Sequence, residues 1–376
     1  MNNIQKLALL GQSIWYDNIS RGVIVRGELK KMVDEGLLGV TSNPTIFDKA
    51  ISGSNDYDDQ IRSLVEANPD IDAAAIIQSL MVKDIQMACD VLAPVFDGTK
   101  GLDGYVSVEV TPGKARDTHA TIEEVRDLWG KINRKNLMVK IPATLEGLPA
   151  IEEMIYEGCN INVTLIFSEI RYREVANAYI TGLERRLREG KKADQIASVA
   201  SVFVSRIDTL VDELLTKNGG AKNAPLMGKA AVANTKFIYR AFREIFGSAR
   251  FRMLAEKGAK VQRPLWGSTG TKNPAYSDLL YVDTLIGAQT VNTVPPPAYT
   301  AILDHGNPAL TIEADMEGAR KVLDGISLAG IDMGWVLRKL EEDGVAAFAK
   351  SFDGLYGNLN KKRGEFVEAP LPTGGL

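Results

Sequence analysis

The residue with the most chemistry in this chain is a lysine set inside an apolar run. Lys140 stands in Leu137-Met138-Val139-Lys140-Ile141-Pro142-Ala143, a segment with the composition of a buried strand. Lysine is almost never fully buried without a partner. Desolvation disfavours its ammonium form and lowers its pKa by as much as ~3–5 units. A neutral amine near pH 7 is a nucleophile, and with sugar carbonyls it forms a Schiff base.

Neighbouring runs place polar groups in comparable positions. Alternate residues of a strand share a face. In Tyr105 to Val110, the valines Val106, Val108 and Val110 fall on one face, with Ser107 and Glu109 opposite. In the lysine run Leu137, Val139 and Ile141 oppose Met138 and Lys140, and in the next run Ile161, Val163 and Leu165 oppose Asn162 and Thr164. Asp17 and Asn43 terminate two further runs. Each residue also has an ordinary reading. Asp17 before Asn18 suits a turn or helix cap, and Glu109 between valines suits the outside of an edge strand. Thr164 is a good β-former, and Asn43-Pro44 is a turn signal. Lys140 could snorkel or pair with a carboxylate. Their common placement is what favours chemistry.

Eight apolar runs supply the frame: Ser13–Asp17, Leu38–Asn43, Tyr105–Val110, Leu137–Lys140, Ile161–Ile166, Ser198–Val204, Arg263–Ser268 and Thr290–Val294. Helical patterns lie between them, as at Thr121–Asn133, Glu169–Arg188 and Asp208–Thr216, with Ile71–Val91 and two more in 210–261 as extra helices. Strands alternating with helices predict parallel βαβ units, and eight of them predict a closed (β/α)8 TIM-type barrel with additional helices. In a barrel the aliphatic faces meet the outer helices, and the polar faces point into the lumen. Active sites of such barrels sit at the C-terminal ends of the strands. An open doubly wound sheet is the alternative, but no Gly-rich phosphate loop follows any strand, and Gly219-Gly220 reads as a helix-ending turn. A single domain is expected over residues 1–365, followed by a flexible Pro/Gly-rich tail at 366–376.

Composition narrows the function classes. The chain has 376 residues, 45% hydrophobic and 24% charged, and its 44 basic against 48 acidic residues give a net charge of −4. That balance carries no electrostatic footprint for nucleic acid. No apolar run approaches the ~18 residues of a membrane span, and the N-terminus lacks the apolar core of a signal peptide; the protein reads as cytoplasmic. Cys89 and Cys159 read as small buried hydrophobes. His119 and His305 lack metal-ligand spacing and read as solvated loop histidines, so no metal site is expected. Carboxylates and the lysine are left to carry proton chemistry.

Four segments then resemble the signatures of the transaldolase family, in the family's order. They are Gly39-Val40-Thr41-Ser42-Asn43-Pro44-Thr45-Ile46-Phe47, Met138-Val139-Lys140-Ile141-Pro142-Ala143-Thr144, Asn160 to Ser168 and Ser201 to Ile207. The length and Trp266-Gly267-Ser268-Thr269-Gly270-Thr271-Lys272-Asn273 resemble the longer bacterial branch; shorter relatives carry an arginine in the region where Lys272 stands. The resemblance implies a class I barrel without metal or organic cofactor. It implies transfer of a dihydroxyacetone unit between sugar phosphates in the non-oxidative pentose phosphate pathway. By motif position Lys140 would form the Schiff base and Asp17 would act as acid/base for carbon–carbon cleavage. Glu109 and Thr164 would hold the water of imine formation and hydrolysis. Asn43 and Asn162 would orient the bound dihydroxyacetone, Ser201 would contact hydroxyls and Arg206 the phosphate, with Ser268 and Lys272 completing the substrate-binding set. The resemblance leaves a homodimer open. Two other functions compete: an aldolase of the same chemistry that releases free dihydroxyacetone, and a silent barrel that senses sugar phosphates. The second predicts loss of Lys140, Asp17 or Glu109, all of which are present.

Overall fold

Among the described residues, eight parallel strands pair in chain order and close on themselves. The structure is a computed structural model and describes residues 1–368. The strands are β1 (Gln12–Asp17), β2 (Gly39–Thr41), β3 (Tyr105–Glu109), β4 (Leu137–Pro142), β5 (Ile161–Ile166), β6 (Ser198–Phe203), β7 (Arg263–Gly267) and β8 (Thr290–Val294). Because β1 pairs with both β2 and β8, no edge is left open. The apolar runs thus predicted every strand, and the outcome is the expected (β/α)8 barrel. The Glu169–Arg188 helix has its predicted bounds, capped by Ser168, whose hydroxyl accepts the Arg171 N–H. The Ser205–Gly219 helix ends at Gly220, at φ 54°, the helix-ending turn read from Gly219-Gly220.

Extra helices fill the two long intervals. Pro44–Ser52, Asp58–Ala67 and Ala73–Gly98 lie between β2 and β3, and Ala230–Phe246 and Ala249–Ala255 lie before β7. The final helix, Met333–Glu368, packs on Pro44–Ser52 and on β5. It takes in residues 366–368 of the expected tail, and 369–376 lie outside the described residues.

The lumen is layered along the barrel axis. At the N-terminal end Arg263 and Asp103 form a buried ion pair at 3.0 Å, with the Ser13 hydroxyl and the Trp15 indole N–H also donating to Asp103. Above it Trp15, Tyr105, Met138, Val199, Leu265 and Val291 make an apolar plug. Gly39 is required here, because a Cβ would meet the Trp15 ring at 2.5 Å. The polar groups come last, at the C-terminal ends of the strands. Alternation fails at one point. Between Val163↔Ala200 and Ile166↔Val202, β5 carries an extra residue, with Leu165 at φ 61°. Leu165 therefore leaves the outward face of Ile161 and Val163, and its side chain meets Gly344 of the last helix.

Candidate active site

Register places the reactive residues side by side. Glu109 of β3 pairs with Lys140 of β4, which pairs with Asn162 of β5. Neighbouring strands lie ~4.8 Å apart, so these three side chains form one row across the lumen. Asp17 pairs with Thr41 in the same way.

Lys140 is buried at 5% exposure. Its Nζ donates to the Ser42 carbonyl at 3.0 Å and lies 3.5 Å from Glu109 Oε2. The Phe348 ring stands 5.9 Å from the same nitrogen. Burial of the lysine, read from sequence, is thus joined by a carboxylate partner. Burial pushes the Glu109 carboxyl up, while Lys140 and then Arg206 oppose the rise and Asp17 adds to it. A buried carboxyl so displaced is a suitable acceptor for a proton passed on by a neighbouring group. Glu109 Oε1 and Thr164 Oγ1 are both buried without a protein hydrogen-bond partner among the described residues.

Asp17 is half-buried and accepts from Thr41 Oγ1 at 2.8 Å. Its carboxyl is pushed up by burial, with Lys140, the Thr41 hydroxyl and Lys272 holding it down. Ser201 Oγ donates to Asn162 Oδ1 at 2.6 Å, and Asn162 Nδ2 donates to Ser107 Oγ at 3.0 Å. That chain fixes which end of the Asn162 amide faces which neighbour. Asn43 spends its Oδ1 on the Ile46 N–H, at 3.0 Å, capping the Pro44–Ser52 helix. The turn reading of Asn43-Pro44 is thus borne out, and among the described residues its amide nitrogen makes no hydrogen bond.

A cavity of about 140 Å³ joins these groups. Nine of the ten residues expected from sequence line it: Asp17, Asn43, Lys140, Asn162, Thr164, Ser201, Arg206, Ser268 and Lys272. Glu109 sits behind Lys140 and lines a second cavity instead. At the far side, Arg206 occupies the first turn of the Ser205–Gly219 helix. Its guanidinium lies over the rings of Phe203 at 5.2 Å and Phe348 at 5.9 Å. Burial pulls its pKa down against the field of Glu109. Arg206 makes no ion pair among the described residues, and Asp208, two residues on, takes the Ala231 N–H and the Tyr281 hydroxyl. Ser268, at φ 54°, brings its Oγ to 3.0 Å from Ser205 Oγ, and Lys272 is exposed at the rim.

Sequence reasoning missed four contributors. Thr41 and Thr293, whose hydroxyls meet at 2.6 Å, were accessible to the same alternation rule. Ser42 contributes a main-chain carbonyl, which no side-chain pattern reveals. Phe348 enters from the last helix and lies more than 140 residues beyond β6, where an aromatic residue reads as core. Both cysteines are buried and free. His119 and His305 are exposed, and each lies on a helix rather than in a loop. Among the described residues no cluster of three or more His, Cys, Asp or Glu side chains is placed to hold a metal, and no helix is long and apolar enough to cross a membrane.

Comparison with known proteins identifies relatives of the chain. Residues 14–359 match the family model described as Transaldolase/Fructose-6-phosphate aldolase. The protein named Transaldolase from Trichodesmium erythraeum is 46% identical over 372 residues, covering 96% of this chain and 97% of that protein. Transaldolase 2 of Nostoc sp. is 45% identical over 374 residues, covering 96% and 98%. Transaldolase of Mycobacterium tuberculosis is 45% identical over 356 residues, covering 94% and 95%.

Proposed function

Since the chain belongs to the transaldolase/fructose-6-phosphate aldolase family, we propose that it is a transaldolase working through a Schiff base on Lys140. It moves a dihydroxyacetone unit from sedoheptulose 7-phosphate to glyceraldehyde 3-phosphate, giving erythrose 4-phosphate and fructose 6-phosphate. This activity belongs to the cytoplasmic, non-oxidative pentose phosphate pathway, and one barrel domain of residues 1–365 carries it.

Lys140 attacks the ketose C2 after passing a proton to Glu109. Loss of water leaves a protonated imine, the electron sink that cleavage of the C3–C4 bond requires. Asp17 takes the proton of the C4 hydroxyl as that bond breaks, and its carboxyl, raised by burial, returns the proton to the acceptor aldehyde in the reverse direction. Glu109 Oε1 and Thr164 Oγ1, unpartnered within the protein, hold the water of imine formation and hydrolysis. Asn162, oriented by Ser201 and Ser107, and Asn43, through its uncommitted amide nitrogen, hold the dihydroxyacetone hydroxyls. Arg206 binds the phosphate with its planar fork, aided by Ser268 and Lys272.

One observation carries this reading: a lysine buried at the C-terminal end of a barrel strand, 3.5 Å from a buried carboxylate, opens on a cavity whose far side bears Arg206 and Lys272. Borohydride added during incubation with fructose 6-phosphate tests it. A dihydroxyacetone adduct on Lys140 is expected by mass spectrometry, and its absence sinks the Schiff-base reading. Repeating the incubation with and without erythrose 4-phosphate separates transfer from release of free dihydroxyacetone. A homodimer is tested by sedimentation of the free enzyme.

A further inference from the structure

Each imine formed on Lys140 releases one water, and each imine hydrolysed consumes one, yet the sugar phosphate itself occupies the mouth of the lumen. The opposite end offers no route, because Trp15, Tyr105, Met138, Val199, Leu265 and Val291 close it with a buried apolar layer. Water in the lumen needs polar partners and room, and an apolar plug provides neither.

A second cavity lies beside the site. It encloses about 300 Å³ between β3, the Pro44–Ser52 and Ala73–Gly98 helices and the last helix. Ser42, Asn43 and Glu109 form its inner wall. On the lumen side of that wall Lys140 Nζ touches the Ser42 carbonyl and Glu109 Oε2. Asn43 lines both cavities. Glu109, 5% exposed, has an oxygen, Oε1, that no protein donor reaches. The outer rim includes Ala74 and Ala75, both exposed on the first turn of the Ala73–Gly98 helix. Its walls mix apolar side chains such as Phe47, Met81 and Leu355 with Thr111, Lys114, Glu124 and Gln78, and at ~30 Å³ per molecule it has room for several waters beside the polar ones.

We propose that this side cavity is a water port, delivering and accepting the water of the imine steps at Glu109 while substrate blocks the mouth. The proposal rests on the Schiff-base reading of Lys140. In hydrolysis the oxygen of a water from the cavity bonds to C2, and its first proton passes to the Glu109 carboxylate. That proton moves on to Nζ. The second proton of the oxygen goes to Glu109 as the C2–Nζ bond breaks, restoring carbonyl and free amine. Formation is the reverse and expels one water by the same port.

Plugging the rim tests the port. Ala75→Trp, with Ala74→Trp as an independent plug, leaves every residue of the active site in place. Each variant is compared with the native enzyme for the rate of borohydride-trapped adduct formation on Lys140, using fructose 6-phosphate and, separately, free dihydroxyacetone. The small ketone leaves the mouth open to water, whereas the ketose phosphate does not. The expected result is a slowing of roughly tenfold, ~1.4 kcal/mol on the barrier, with fructose 6-phosphate and no slowing with dihydroxyacetone. Equal slowing with both ligands means that the plug disturbs Lys140 itself, and no slowing with either means that water uses the mouth; both overturn the port. Native enzyme that traps neither ligand overturns the Schiff-base reading instead.

Discussion

Replacing Lys140 with methionine leaves Glu109 as an unpaired carboxyl in the wall of the lumen, and the consequence for stability follows from the geometry. The two charges lie 3.5 Å apart. At an effective dielectric of ~20 their attraction is about 5 kcal/mol. Without it, burial and the field of Asp17 oppose ionisation of Glu109 with only Arg206 against them, so the carboxyl keeps its proton to higher pH. A carboxyl whose folded pKa lies above its unfolded value of ~4.3 gives stability that is fully present below that value and lost as pH rises through the folded pKa. Between those two values the loss runs at ~1.4 kcal/mol per pH unit. Native enzyme follows the same direction with a smaller slope, because Lys140 opposes the burial. Thermal melts of native enzyme, Lys140→Met and Lys140→Met/Glu109→Gln between pH 5 and pH 8 check this. The Tm gap between the single variant and native enzyme should widen by roughly 5 °C or more across that range, and the double variant should lack the widening. A gap constant with pH would refute the claim that the two groups share one field. Both variants should form no adduct with fructose 6-phosphate.

Three further outcomes follow from the same site. Asp17→Asn should still form the imine but cleave ~10²–10⁴-fold more slowly, so borohydride should trap the intact ketose phosphate on Lys140 instead of the three-carbon adduct. Arg206→Met should raise KM for fructose 6-phosphate by roughly 10–100-fold, the weight of a charge-assisted contact, while trapping of dihydroxyacetone keeps its native rate. The buried Asp208 carboxyl is pushed up to about 6, chiefly by burial, from the ordinary aspartate value of 3.8. Its contribution to stability is therefore present below pH ~4 and lost as pH rises through about 6, a fall of about 3 kcal/mol. Asp208→Asn should remove that fall from the stability profile measured by denaturant unfolding, and an unchanged profile would show that Asp208 is not the titrating group.

The barrel was legible in the sequence because parallel strands buried on both sides write themselves as short aliphatic runs, and the lumen residues stood out as polar interruptions at alternate positions. Ser107 and Glu109, Met138 and Lys140, and Asn162 and Thr164 all fall on the expected face because the period of a strand is fixed. Leu165 escaped that rule. An extra residue in one strand changes the register without changing composition, so nothing local announced its turn toward Gly344. The pairing of Lys140 with Glu109 was visible as a common face on two runs, but only closure in chain order makes the runs neighbours in register. Phe348 was illegible for a different reason. Its role depends on where the last helix lies, and that is settled by packing against Pro44–Ser52 and β5, segments about 300 and 180 residues earlier in the chain.

That last helix also bears on how the lumen tolerates its charges. Lys140, Arg206, Lys272 and Asp17 line one small cavity, with Glu109 directly behind Lys140, three positive groups against two negative. Buried charges are tolerated only when paired or compensated, and here Phe348 helps by presenting its ring to both Lys140 and Arg206. The single positive excess lies on the side of Arg206 and Lys272. A phosphate dianion brought there overcompensates it. Proton retention on a carboxyl is the least costly correction, and Asp17 and Glu109 are the two that burial has already pushed up. On the proposed reading of the site, substrate binding and the availability of a catalytic proton would thereby be coupled. A nonphosphorylated sugar loses that coupling together with its anchor, and so loses rate as well as affinity.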